Sequence, residues 1–261
     1  MSKNYWQDRE AAALAKITER SVKDTEKLLA KSYRNSAKKV VNEFADTYEK
    51  LLYTLEEGRD ATPADLYKLD KYWQLQGQLN AELNTLGEVQ ERILSKQFLK
   101  EFEDIYGAIS FKEINAFSTI DREGMVKAIN SIWCADGKTW KNRAAKNLEA
   151  LKATLSDELV HCVASGKKTS ELKRILQEDF DMSYRAADTL VRTEMAHIQT
   201  SAAQQRYKDY GIQEVQVWAD YDERRCKICG ELHKTKHNIN GAMPIPAHPN
   251  CRCTIIPVVE L

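Results

Sequence analysis

Glycine and proline are absent from the first 57 residues, and four of the five prolines follow Met243. With no breaker to interrupt it, the N-terminal stretch is expected as continuous helix, and the end of the chain as turns and short strands. Long apolar runs are also absent. Mean hydropathy is −0.57, and nothing approaches the roughly 20 apolar residues that a membrane-spanning helix needs. Net charge is missing too, because 39 basic residues cancel 39 acidic ones. No whole-molecule field would therefore draw the protein onto DNA or anionic lipid. The opening "MSKNYWQDREAAALAK" has acids and lacks the apolar core of a secretory signal. A reducing compartment is expected, where clustered cysteines more often bind metal than form disulfides. Finally, the sequence contains no glycine-rich phosphate loop, no H-E-x-x-H and no G-x-S-x-G, so three common signatures of enzymatic chemistry are lacking.

What is present begins with helical periodicity. Val41, Phe44, Tyr48, Leu51 and Leu55 step by threes and fours and define a narrow seam. Leu14, Ile17, Leu28, Leu29, Tyr33 and Ala37 continue an apolar face upstream. An unbroken helix here would be about 75–80 Å long at 1.5 Å per residue. Gly58 is expected to end it, with Thr62 as N-cap and Pro63 and Asp65 opening a second long helix. Leu79, Leu83, Leu86, Val89 and Ile93 form its seam, and Gly77 and Gly87 allow a kink or a close helix contact. The pair reads as an antiparallel hairpin whose seams pack together, with docking on a partner as a second use of so long an element.

Further along, "AISFKEINAF" is weakly strand-like, and a helix follows from Lys138 to Gly166. A short helix is expected from about Ser170 to Asp179, then a longer one capped by Ser183 and closed by a left-handed Gly211. "IQEVQVWAD" alternates as a strand does, with "TIIPVVEL" as its antiparallel partner. The expected fold is mainly α. Residues 1–110 form the partner-docking hairpin, and residues 111–261 a helical region leading into a small α+β module with a Cys/His segment.

That segment, "CKICGELHKTKHNINGAMPIPAHPNCRC", holds four of the six cysteines and three of the five histidines. Cys226 and Cys229 have the C-x-x-C spacing with which a tight turn presents two thiolates to one tetrahedral ion. Cys251 and Cys253 would share a face in extended chain, and His248 lies just upstream. Five candidates thus compete for four positions of a closed, structural zinc site. Such a site would clip the strand near Trp218 to the terminal strand. Reduced cysteines packed as small apolar residues, or disulfides in an oxidising setting, are the other readings. His233 and His237 read as solvated loop residues, and Cys134 and Cys162 as lone thiols on helices.

The order "LVRTEMAHIQTSAAQQRYKDYG", "VWAD", "DERRCKICGELH" and "PIPAHPNCRC" resembles the Mu F-like, or minor head protein, family of tailed bacteriophages. The likeness runs from about Ala128 to Leu261, and "NYWQDRE" resembles the start of many such minor capsid proteins. The family positions carried over are Arg192, Thr193, Glu194, Trp218, Arg225, Cys226, Cys229, His248, Pro249, Cys251, Arg252 and Cys253. The resemblance implies a low-copy protein of the capsid interior. Such a protein associates with portal, capsid and scaffolding proteins, enters the procapsid and supports head morphogenesis and DNA delivery. Made in host cytoplasm, it would need no export signal. Many members carry a glycine shortly after the position of Leu232, where His233 and Lys234 stand here, so the loop is expected to bend differently. Some members keep only the terminal C-R-C, so the family role does not depend on four cysteines.

Two other classes of function compete. A zinc-stabilised nucleic-acid module would use phosphate contacts from Lys167, Lys168, Lys173 and Arg174, residues that otherwise form a solvated basic helix end. A nucleotide-using transferase would need Asp188, Arg192, Glu194 and His197 on one helix face. Against that, Arg192 and Glu194 read as ties between the helix and the cysteine segment. Members of the family can carry toxin domains behind the module, and with Leu261 as the last residue none is expected here. A nuclease built on Asp220, Asp222 and His248 would be a loose carboxylate set.

Overall fold

The computed structural model describes residues 5–54, 62–68, 70–110, 121–219 and 225–258. Leu55, the stop at Gly58, most of "AISFKEINAF", Asp220, Asp222 and the end of "TIIPVVEL" lie outside them. Seven helices and three strands occur among the described residues: α1 (Tyr5–Thr54), α2 (Pro63–Tyr67), α3 (Asp70–Ala108), α4 (Arg122–Ile129), α5 (Trp140–Ala164), α6 (Thr169–Asp209), β1 (Glu214–Trp218), α7 (Lys227–Leu232), β2 (Lys236–Asn238) and β3 (Thr254–Pro257). The fold is mainly α with a small antiparallel sheet near the C-terminus, as expected. Among the described residues no helix is long and apolar enough to cross a membrane.

The chain divides into two compact units, and the division falls inside α1, α3 and α6. A helical unit comprises Lys27–Ile93 and Lys141–Asp188; a sheet unit comprises Met1–Glu26, Leu94–Trp140 and Thr189–Leu261.

In the helical unit the seam residues of α1 and α3 are buried, but α5 and α6 share the same core. Phe44, Tyr48, Leu79 and Leu83 meet Leu155 and Leu176 in one apolar cluster. The hairpin is therefore half of a four-helix arrangement rather than a free-standing pair. Its antiparallel sense is fixed by polar pairs: the Tyr33 hydroxyl donates to Gln90 Oε1 at 2.9 Å, and Ser36 Oγ donates to Glu82 Oε1 at 2.7 Å.

The α3 seam drifts as an α-helix drifts from a strict heptad. Gln90 is buried, whereas Val89 and Ile93 are only half-buried. Gly87 supplies the expected close contact, because a Cβ there would lie 3.2 Å from Leu148 Cδ1 of α5. Thr62 caps α2 reciprocally with Asp65: its N–H and hydroxyl donate to the carboxylate at 3.1 and 2.6 Å. The helix it opens stops at Tyr67, and α3 begins anew at Asp70.

The break expected before Ser183 does not occur, since α6 is one helix of 41 residues. Serine and aspartate favour caps locally, but Leu172, Leu176, Phe180, Ser183, Ala187 and Val191 form one uninterrupted buried stripe. Asn147 Nδ2 also donates to the Ser183 carbonyl at 2.9 Å. Packing along the whole stripe outweighs the capping preference. Gly211, with φ +75°, closes the helix as expected.

In the sheet unit the strand order is β2-β1-β3. Val217 of β1 pairs with Ile255 of β3, and Val215 with His237 of β2. Ala11 of α1 packs with Trp218 and Ile256, and the buried Tyr207 hydroxyl donates to Glu10 Oε1 at 2.9 Å. The first turns of α1 thus belong to the same core as the C-terminal strands. Deleting the chain before Ala61 would strip that core, so it cannot isolate a docking role for the hairpin.

Candidate metal centre

The cysteine segment is held by local turns. Cys226 is the N-cap of α7, where its sulfur accepts the Cys229 N–H at 3.3 Å. Downstream, Asn250 takes a left-handed φ of +59°, and the Cys251 N–H donates to the His248 carbonyl at 3.2 Å. Asparagine tolerates that conformation better than other side chains. Cys253 lies just ahead of β3, and like Cys251 it is buried.

These turns bring the candidates together. Cys226 Sγ and Cys229 Sγ lie 3.2 and 3.1 Å from His248 Nε2, and Cys229 Sγ is 3.8 Å from Cys251 Sγ. Cys226, Cys229 and His248 form one group with donor atoms within 4.8 Å of one another; Cys229, Cys251 and Cys253 form a second. His248 Nδ1 is 2.8 Å from the Pro249 carbonyl. A carbonyl can only accept, so the proton sits on Nδ1, and in the neutral ring Nε2 offers its lone pair to the sulfurs. Metal-ligating histidines are oriented this way.

Charge in the cluster is uneven. The backbone N–H of Cys229 holds the Cys226 thiol below its usual range. The neighbouring Cys253 side chain is the largest cause that lowers the Cys251 thiol to about 5. Burial pushes Cys229 up to about 12, and the charged Cys251 sulfur pushes Cys253 up. None of the six cysteines is paired in a disulfide.

Zinc–sulfur and zinc–nitrogen bonds in a tetrahedron separate the donor atoms by about 3.6–3.8 Å. The Cys229–Cys251 separation of 3.8 Å matches that geometry and the 3.1–3.2 Å separations from His248 are shorter, while the five donors fall into two groups of three that share Cys229. The donor set, thiolates with one imidazole, suits zinc and not magnesium or calcium, which take oxygen ligands.

The remaining family positions are distributed around this cluster. The Thr193 hydroxyl accepts the Asn250 N–H at 3.1 Å and ties α6 to the cysteine segment. That is the link expected of its neighbours, Arg192 and Glu194. Arg192 pairs with Glu26 of α1, and buried Glu194 accepts from Trp133 Nε1 at 3.0 Å. His197 stacks on the same indole at 4.5 Å, with Ser131 Oγ 3.4 Å from its Nε2. Two residues apart on a helix, Arg192 and Glu194 point about 200° apart, so they do not share the face a common nucleotide site needs. Trp133 and Ser131 were not legible as partners of α6, because they come from a turn-rich segment with no periodicity.

Arg225 donates to the Gly230 carbonyl at 3.1 Å and caps α7. Arg252 is exposed. It lines a cavity of about 500 Å³ with Arg192, Gln199, His248 and residues of α1. Trp218 is buried against His233, whose Nδ1 accepts the Ala219 N–H at 3.2 Å. His237 lies 2.8 Å from Thr235 Oγ1. Neither histidine is a solvated loop residue, and neither joins the two ligand groups.

Lys234 adopts φ +66° with its ammonium 5.3 Å from the Trp218 ring centre. This turn is thus made by a lysine in the left-handed conformation, held over an aromatic face. In the helical unit, Lys168, Lys173 and Arg174 are exposed around the start of α6, and Lys167 is half-buried. Arg174 pairs with Glu178 at 2.6 Å. Cys162 is buried in α5 and Cys134 half-buried.

The fold and site define a mainly helical protein whose C-terminal α+β module is organised around a cysteine and histidine cluster. Residues 153–256 match the family described as Phage Mu protein F like protein, so this part of the chain is similar to that family. The match takes in the end of α5, α6, the sheet and all five candidate ligands, and begins later than the Ala128 expected from the motifs. The chain is also 22% identical over 281 positions to NAD(+)--arginine ADP-ribosyltransferase EFV of Enterococcus faecalis, covering 98% of this chain and 55% of that protein. The chain spans about half the length of that curated relative. No solved structure matches.

Proposed function

We propose that this protein is a minor head protein of a tailed phage. It is a low-copy component of the capsid interior that associates with the portal and supports procapsid assembly and DNA delivery. The Mu F-like match over residues 153–256 carries this reading. The helical unit supports it by presenting Tyr53, Tyr67 and Trp73, which are 91%, 44% and 61% exposed. Exposed aromatics of this kind often anchor protein interfaces, here with portal or capsid subunits. Lys167, Lys168 and Lys173 would add only weak, salt-sensitive contact with packaged DNA. Counting copies per particle in proheads and in DNA-filled heads by quantitative mass spectrometry tests the proposal. A few to tens of copies in either particle are expected, and absence from both would end it.

A second reading, a nucleotide-using transferase, is favoured only by the name of the relative that aligns with nearly all of this chain. It predicts NAD consumption that Glu194→Gln abolishes. The burial of Glu194 under Trp133 weighs against it. Turnover by the wild type that Glu194→Gln removes would reverse that judgement.

A further inference from the structure

We infer that Cys226, Cys229, His248 and Cys251 bind one zinc ion, and that Cys253 is not a ligand. This inference does not rest on the role in the phage head. The sequence leaves five candidates for four positions, and the backbone chooses among them.

Two hydrogen-bonded turns hold the donors. In the first, Cys226 and Cys229 are three residues apart, the Gly230 N–H donates to the Cys226 carbonyl at 2.9 Å, and the Cys229 N–H donates to the Cys226 sulfur. In the second, His248 and Cys251 are three residues apart, and the Cys251 N–H donates to the His248 carbonyl at 3.2 Å. Each turn offers a pair of donors, and two such pairs make a tetrahedron. The Cys229–Cys251 separation of 3.8 Å across the turns is that of two thiolates on one zinc ion.

Cys253 stands outside the second turn, next to β3. Cys251 and Cys253 both group with Cys229, and neither groups with Cys226 and His248, so the turn that joins Cys251 to His248 is what selects Cys251. The arrangement is closed, with no position left for a catalytic water, so the ion's role is to fasten the module.

The test uses the full chain purified under reducing conditions from zinc-supplemented culture. One zinc per chain by elemental mass spectrometry is expected. Cys253→Ser should keep that stoichiometry, whereas Cys229→Ser, Cys251→Ser and His248→Ala should lose most of it. Because a ligand variant can fail to fold, the wild type is also loaded with cobalt. Its thiolate-to-cobalt charge-transfer intensity should count three sulfurs and be unchanged in Cys253→Ser. Protein without bound zinc or cobalt uptake, a count of two or four sulfurs, or metal lost from Cys253→Ser and kept by Cys251→Ser would each overturn the assignment.

Discussion

Phe44→Ala is expected to lower the unfolding free energy by about 3–5 kcal/mol, the range for removing a large aromatic side chain from a close-packed core. Phe44 is wholly buried in the helical unit, among apolar residues from α1, α3, α5 and α6. The loss combines the transfer of the ring to water with a cavity that four packed helices cannot close. Leu28 lies on the same helix but is 43% exposed, so Leu28→Ala should change stability by no more than about 0.5 kcal/mol. Urea unfolding followed by circular dichroism separates the two. Equal effects would mean that the four helices do not share the core described.

Asp179→Asn is expected to act in the opposite direction and raise stability at neutral pH by about 1–3 kcal/mol. Asp179 is buried, and its Oδ2 has no hydrogen-bond partner. Burial first, then the neighbouring Glu158 and Glu178, push its titration from 3.8 up to about 6. The folded state therefore holds a proton that the unfolded chain releases between about pH 4 and 6. The stabilisation is complete below that window and lost as pH rises through 6. Asparagine keeps the shape and removes the charge. In urea melts the variant should be more stable than wild type at pH 7, with a shallower decline between pH 4 and 7. Burial raises Glu10 and Glu101 as well, and they act with the same sign, so some decline remains. A variant no more stable at pH 7 than wild type would mean that the carboxylate is solvated or paired in the folded protein.

Much of this protein was written in local sequence. The absence of glycine and proline before Gly58 gives an unbroken α1, because nothing along Tyr5–Thr54 interrupts the helix. Threes-and-fours spacing marks the faces of α1 and α3, Gly211 the end of α6, and the alternation of Val215 and Val217 a strand. C-x-x-C and H-P-x-C-R-C announce a site before any coordinates exist.

Tertiary structure decided the rest, and in each case a distant contact outweighed a local preference. Ser183 reads as a cap, yet it sits inside α6, because burying the whole stripe from Leu172 to Val191 is worth more than one capping bond. The hairpin seams are covered by α5 and α6, a sharing that periodicity within one helix cannot reveal. Thr193 ties α6 to the cysteine segment, and which of three consecutive helical residues faces a loop depends on a rotation set by the whole core. Local sequence could also not rank Cys251 above Cys253. The proposed ranking rests on the turn at Asn250, which joins Cys251 to His248 and sets it 3.8 Å from Cys229.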